Sequence, residues 1–483
     1  MTDNKTLGAL RKSEYASKTV KEELRDNIIA KIRANEPLFE GIHGYRDSVE
    51  PQIIRAILAG HNINFLGLRG QGKTRMARQL VSFLDEYIPA IEGTEIMEDP
   101  LNPITKEGRE IIEKLGDKTP IRWIHRSERY FEKLATPDVT IADLVGDIDP
   151  VKAANEKLNF SDERVINFGM IPRAHRCIFV INELPDLQPR IQVALFNALQ
   201  EGDIQIRGFQ LRMHLDTHFV FTANPEDYTQ RGSIITPLKD RIGSQILTHY
   251  PEREAAEIIY AQEAKVKNTQ IARWSTGVAT TLHLLMEEAR QSTYIDQKSG
   301  VSVRLGIAAR ELLYAAAEER CLLNDVQSTA FRPVDFLAVT PAIIGKVELV
   351  YEGEQMGGLD VAESLVSSAL HALLEANDFP ALDKIKSSDE AHPYNKIVRW
   401  FESHREIQLD STSDDGIYRD TLDSIPALGA LVDKLFTADN KDERYFLMET
   451  VLWALCFRNR LSRESYDGKI TFFDTLSGYL NEE

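Results

Sequence analysis

Eight consecutive residues, Gly67, Leu68, Arg69, Gly70, Gln71, Gly72, Lys73 and Thr74, spell G-x-x-x-x-G-K-[ST] without a departure. Few chemistries need that pattern. A loop of bare backbone N–H groups can wrap a chain of phosphates, and glycines permit positive φ and close approach because no Cβ intervenes. Lys73 would reach the β- and γ-phosphates of a nucleoside triphosphate, and the Thr74 hydroxyl would hold Mg²⁺. The flanks agree with this. Ile63, Phe65 and Leu66 form a short apolar stretch before the loop, and Arg75–Leu84 after it has helical periodicity, with Met76, Leu80, Phe83 and Leu84 on one face. The loop therefore joins a strand to a helix N-terminus, where the helix dipole favours an anion. Arg75, next after the motif, and Tyr45, just beyond the break at Gly41–Gly44, are grouped with the nucleotide-binding residues.

The chain has 483 residues, enough for about three domains of ~150 residues. Its 57 basic and 75 acidic residues give a formal charge of −18. That charge argues against non-specific nucleic-acid binding, whose affinity comes from neutralising phosphates. No apolar run approaches the ~20 residues that span a bilayer, and no secretory leader is evident, so the expectation is a cytoplasmic protein. Cys177, Cys321 and Cys456 are far apart and form no C-x-x-C pair. They read as buried small residues in a reducing compartment rather than as a disulfide or zinc framework.

Alternation of element types organises the rest. Residues 1–41 read as a charged helical segment, with the run Lys21–Asp26 as a solvated face, and Pro51–Gly60 as a short helix with proline near its start and glycine at its end. Residues 89–120 read as a surface insertion around a helix at 106–115, residues 120–125 as a strand and residues 138–172 as irregular. Cys177–Ile181 is a run of five apolar residues, as in a strand buried on both faces of a parallel sheet. A helix follows at 190–201. Gly202–Met213 alternates about Gly208 as a hairpin, and His218–Ala223 is a second buried strand. Beyond about Pro251 the pattern is helical. The strand–helix alternation followed by a helical region predicts an α/β nucleotide domain with a helical lid and extension.

Several residues stand where hydrolysis would need them. Asn182 and Glu183 end the buried strand at its carboxyl edge, where α/β sheets bind ligands. Glu183 would orient and deprotonate an attacking water, and Asn182 would contact the hydration shell of Mg²⁺; the plainer reading is that both cap a turn. Asn224 ends the next apolar strand, placed to position the water or touch the γ-phosphate, although Asn-Pro is also a common turn former. Arg241 is the candidate for meeting transition-state charge, from a neighbouring subunit. Arg231 is the runner-up, and an ion pair with Asp240 is the local alternative. Arg304, opening a helix with Ser302, could couple a lid to nucleotide state or be a solvated surface arginine. His214, Asp216 and His218 have metal-ligand spacing if the segment is extended, but an ordinary strand face explains them as well.

Together, Gly67–Thr74, Ile178–Glu183, Asn224-Pro225, Pro237–Arg241 and Ser302–Arg304 resemble, in order and approximate spacing, an AAA+ ATPase. Leu144–Pro150, Gly169–Leu184 and Leu199–Gly208 resemble the helix 2 insertion, Walker B passage and pre-sensor hairpin of the MoxR and magnesium-chelatase I-subunit branch. The resemblance covers about residues 42–320. It implies an α/β P-loop core (42–251) with inserted β-hairpins, a helical lid (252–345) and a mostly helical C-terminal extension (346–483). It also implies ATP and Mg²⁺ as cofactors, a hexameric ring with ATP between protomers, Arg241 acting in trans and Arg304 as the sensor 2 arginine. The implied partner is a protein with a von Willebrand A domain. Two departures stand out. Asn182 occupies the Walker B aspartate position, and residues beyond about 345 have no counterpart in a minimal chelatase I subunit. A nucleotide-gated scaffold with little hydrolysis and a nucleic-acid motor are the other readings.

Overall fold

The computed structural model describes residues 4–155, 162–206, 212–225, 233–267, 270, 272–375, 392–403, 406–436, 438, 440–466 and 468–475. They fall into two compact units, Met1–Tyr250 and Pro251–Glu483. No helix among the described residues is long and apolar enough to cross a membrane.

The first unit is built on five parallel strands: β1 (Ile63–Leu66), β2 (Tyr130–Leu134), β3 (Cys177–Asn182), β4 (Thr217–Ala223) and β5 (Ser244–Leu247). Their order across the sheet is β5-β1-β4-β3-β2. Every residue of β3 and β4 is buried, because both are interior strands covered on two faces. Alternate side chains enter separate cores. Cys177, Phe179, Ile181, Phe219 and Phe221 join one cluster, while Ile178, Val180, Val220, Ile63, Phe65 and Ile246 join the other. Burial pushes the Cys177 thiol up to about 12, consistent with an inert core residue.

Three helices cover the second cluster: α1 (Val20–Arg33), α2 (Glu50–Leu58) and α3 (Lys73–Gln79), the last continued by a 3-10 turn over Leu80–Phe83. Thr19 starts α1 with a capping box: its hydroxyl accepts from the Glu22 N–H while Glu22 accepts from the Thr19 N–H. Val20, Leu24 and Ile28 then fall on one buried stripe. The Lys21–Asp26 run is not wholly a solvated face. Glu23 is 1% exposed and forms a bidentate ion pair with the fully buried Arg129, at 2.7 and 2.8 Å. Arg129 Nε also donates to the Arg176 carbonyl at 2.9 Å. The N-terminal segment is thus part of this unit's interior.

Both edge strands escaped the sequence reading. Tyr130–Leu134 is half-exposed throughout, and Ser244–Leu247 buries only Ile246, so neither has the apolar run or alternation that marks a strand. A further strand, Tyr87–Ile91, pairs antiparallel with Ile121–His125, so the 89–120 insertion begins inside a strand pair. The helix at 106–115 is present, capped by Thr105. The helix expected over 190–201 is interrupted at Leu195, giving Pro189–Ala194 and Phe196–Gln200. The expected hairpin pairs Asp203–Gln205 with Arg212–His214; its centre, 207–211, lies outside the described residues.

The second unit holds the helices α4 (Arg253–Glu263), α5 (Thr276–Gln291), α6 (Val303–Leu323), α7 (Gly358–Glu375) and α8 (Lys441–Phe457). It also holds a three-stranded antiparallel sheet, Ile407–Asp410, Lys469–Phe473 and Ser462–Tyr466, within the region expected to be mostly helical. A buried ionic network crosses the expected boundary at residue 345. Arg320 on α6 pairs with Asp335 at 2.6 and 2.9 Å and donates to the Ser411 carbonyl. Arg332 pairs with Asp415 at 2.8 Å and lies over the Tyr418 ring. Tyr418 and Trp453 donate to the two oxygens of Glu449, at 2.8 and 3.0 Å.

Two outcomes follow from these buried charges. Glu23→Ala strands the Arg129 guanidinium without its counter-charge, and urea unfolding of the first unit should show a loss of about 3–5 kcal/mol. In the second unit, burial raises the Glu449 carboxyl from 4.5 to about 7, with Asp335 adding to the shift and Trp453, Tyr418 and Arg332 opposing it. The folded state then binds a proton that the unfolded state has released. Glu449 therefore costs nothing below pH 4.5, costs increasingly as pH rises towards 7, and costs a constant amount above it. Glu449→Gln should remove that slope, so its melting temperature relative to the parent chain should climb between pH 4.5 and 7 and then level off.

Candidate nucleotide site

The carboxyl ends of β1, β4 and β3 lie level. Leu66 pairs with Ala223, and Phe221 pairs with Ile181, so the residues that follow converge at one edge of the sheet. The Gly67 N–H donates to the Ala223 carbonyl at 3.2 Å as the loop leaves β1. A Cβ on Gly67 would run into the Thr248 hydroxyl and the Gln71 amide, so a larger residue at the first position of the loop would displace their mutual hydrogen bond. Gly70 and Gly72 have φ of 75° and 72°, a region that glycine enters without strain.

The loop is braced from below. The Tyr45 hydroxyl lies 2.7 Å from the carbonyls of both Gln71 and His249, and its ring, 4% exposed, packs edge-on to His249. Burial raises the Tyr45 phenol, so it stays protonated and donates. In this structure Tyr45 supports the loop backbone through its hydroxyl. Gln71 is itself buried and accepts from Thr248 at 2.7 Å. The Tyr250 hydroxyl faces the Arg69 carbonyl at 3.4 Å, Leu68 offers its carbonyl to Lys73, and Arg75 is exposed on α3.

Lys73 and Asn224 meet. The Lys73 ammonium donates to the carbonyls of Gly67 and Leu68, the latter at 2.8 Å, and to Asn224 Oδ1 at 2.7 Å. Asn224 is buried at the end of β4. Beside them, Asn182 gathers three contacts. Its Oδ1 accepts from Thr74 Oγ1 at 3.3 Å and Thr222 Oγ1 at 3.1 Å, while its Nδ2 donates to Glu132 Oε1 at 2.6 Å. Burial alone would raise the Glu132 carboxyl. Hydrogen bonds from Arg78, Tyr130 and Asn182 outweigh burial and leave it lowered, so Glu132 is ionised at neutral pH.

Glu183 follows Asn182 with φ 55° and ψ 47°, a left-handed conformation that is uncommon for a residue with a Cβ. Its N–H donates to Thr222 Oγ1 at 3.2 Å. The same hydroxyl gives its proton to Asn182, so Thr222 ties the two residues to β4. Backbone strain of this kind costs about 1–3 kcal/mol and persists where the surroundings over-determine it.

Two other candidates have their own settings. Arg241 ends the short helix Thr236–Arg241; it donates to Gln200 at 2.9 Å and the Pro237 carbonyl at 2.7 Å, and lies over the Phe196 ring. Arg304 is exposed in the first turn of α6, in the second unit, and its N–H donates to the Ser302 cap. Arg231 lies outside the described residues. The His214, Asp216, His218 spacing does not become a metal site. Asp216 accepts the Val20 N–H, His218 is 1% exposed with burial holding it down at about 3, and no metal-binding cluster occurs among the described residues.

Thr74 and Asn182 present oxygen donors, with the charged Glu132 carboxylate behind the Asn182 amide, which suits a hard cation such as Mg²⁺ that also draws ligands from phosphate. The sheet order and the loop suit an anionic ligand at the strand ends. Residues 121–242 match the family model described as AAA domain (dynein-related subfamily). The first unit has the α/β P-loop AAA+ fold. Among solved structures, NtrX from Brucella abortus is 14% identical with a TM-score of 0.32, over 64% of this chain and 53% of that one. This chain thus matches about half the length of that protein. NtrX from the same organism in complex with ADP is 12% identical with a TM-score of 0.36, over 85% and 70%. The complex between subunits BchI and BchD of magnesium chelatase is 18% identical with a TM-score of 0.35, over 66% and 99%. At such scores none of these likenesses assigns an activity or a partner to this chain.

Glu132 and Thr222 were missed by sequence reasoning: Glu132 lies in an edge strand without a pattern, and Thr222 is one of many buried threonines. Thr222→Val keeps the shape but removes the hydroxyl between Asn182 and Glu183. Urea unfolding should register a loss of about 1–3 kcal/mol, and Thr222→Ser should restore most of it.

Proposed function

We propose that the chain is an ATP hydrolase, a ring motor of the MoxR and magnesium-chelatase I-subunit kind that remodels or activates a partner protein in the cytoplasm. The observation that carries this is the meeting of Lys73, Thr74, Asn182, Glu183 and Asn224 at the ends of three adjacent strands. The N–H groups of Gly67–Thr74 hold the phosphates, and Lys73 exchanges its carbonyl contacts for phosphate oxygens. Thr74 and Asn182 stand on the side where Mg²⁺ would be held. When bound, that ion would neutralise the terminal phosphates and ease departure of the leaving group. Glu183 accepts the proton of the attacking water, and Asn224 orients that water. Arg241, at the end of its helix, is offered to the nucleotide of a neighbouring copy in a hexamer, and Arg304 is the sensor candidate of the second unit. The partner is a protein bearing a von Willebrand A domain.

Asn182 favours one second reading, a nucleotide-gated scaffold with little turnover, because an amide replaces a carboxylate beside the metal position. Steady-state phosphate release separates the two. The motor reading expects clear turnover in the parent chain. Glu183→Gln should lower it about 10²–10⁴-fold with ATP still bound, the span expected for loss of a general base. Lys73→Ala should abolish nucleotide binding itself. Parent turnover no faster than that of Glu183→Gln would favour the scaffold.

A further inference from the structure

The amide at position 182 is not left to itself. Asn182 Nδ2 donates to Glu132 Oε1 at 2.6 Å. Glu132 stands on β2, two residues before Leu134, the register partner of Asn182. An ionised carboxylate only accepts, so the amide nitrogen must face it, and Oδ1 must then point at the Thr74 and Thr222 hydroxyls. Glu132 is fixed in turn. Arg78, on the same helix as Lys73, grips it at 2.9 and 3.1 Å, and the Tyr130 hydroxyl donates to it at 3.1 Å. A charged acceptor on Nδ2 polarises the amide and strengthens Oδ1 as an acceptor on its far side.

We propose that Glu132 is a positioning residue for the metal side of the nucleotide site: acting through the Asn182 amide, it supplies the orientation and negative charge that an aspartate at 182 would bring directly. The carboxylate stands one strand over from the amide through which it acts. This inference rests on the nucleotide reading above.

The test is ADP binding by calorimetry on the full chain, in EDTA and across a Mg²⁺ titration. Glu132→Gln should bind ADP in EDTA as the parent does, but need about tenfold more Mg²⁺ to gain affinity, as for loss of a partner behind a metal ligand. The double variant Glu132→Gln/Asn182→Asp moves the carboxylate to position 182 and an amide to position 132. Its Mg²⁺ requirement should fall back to within about threefold of the parent, because the pair is coupled. The proposal is overturned if Glu132→Gln keeps the parental Mg²⁺ requirement. It is equally overturned if that variant weakens ADP equally with and without Mg²⁺, which would mark a purely structural role, or if the double variant recovers nothing. Failure of the parent chain to bind ADP even in EDTA would remove the nucleotide reading itself, and this inference with it.

Discussion

The parallel register of β1, β4 and β3 is the constraint on which the rest of the first unit depends. Leu66 opposite Ala223, and Ile181 opposite Phe221, bring the phosphate loop, Asn224 and the Asn182-Glu183 pair to one edge. A slip of one residue would invert each side chain of a strand. Cys177, Phe179 and Ile181 would then trade cores with Ile178 and Val180, two sets of different volume packed against different neighbours. The cost of that exchange in buried apolar area holds the polar ends level. Core packing thus sets the position of groups that themselves contribute little to the core.

Polar contacts refine what packing sets. Thr222 is the clearest case: one hydroxyl serves Asn182 and the Glu183 N–H at once. Glu183 can then hold a left-handed conformation that turns its side chain out of the strand's alternation. Tyr45 does comparable work beneath the loop, with a protonated phenol against the carbonyls of Gln71 in the loop and of His249. Neither residue needs to touch a ligand to matter.

Much of the site was legible in the chain because its motifs are contiguous. Gly67–Thr74 and the two apolar strands ending in Asn182-Glu183 and Asn224 are local patterns, and the structure brings Lys73 to Asn224 and Thr74 to Asn182. The contributions that stayed hidden are non-local or patternless. Glu132 belongs to an edge strand whose half-exposed residues show no period. Glu23 sits in a run of charges that reads as solvent-facing, and only the fold reveals Arg129 across from it, 106 residues away. The sheet at 407–410, 462–466 and 469–473 was obscured in the same way, since its short, partly exposed strands lie among stronger helical signals.

Arg320 carries a consequence for how such a chain could have been assembled. Its guanidinium, 1% exposed, spends its donors on Asp335 from one side of residue 345 and on Ser411 from the other. A helical region that ended near residue 345 would lose the Ser411 acceptor of Arg320 and the Asp410, Ser413 and Asp415 acceptors of Arg332, itself 1% exposed, and a buried guanidinium stripped of its counter-charge is too costly to keep. The interior of the earlier helices is therefore specialised for the segment that follows them. The two stretches behave as co-adapted halves of one module, and neither could be exchanged between chains without rewriting the other's interior.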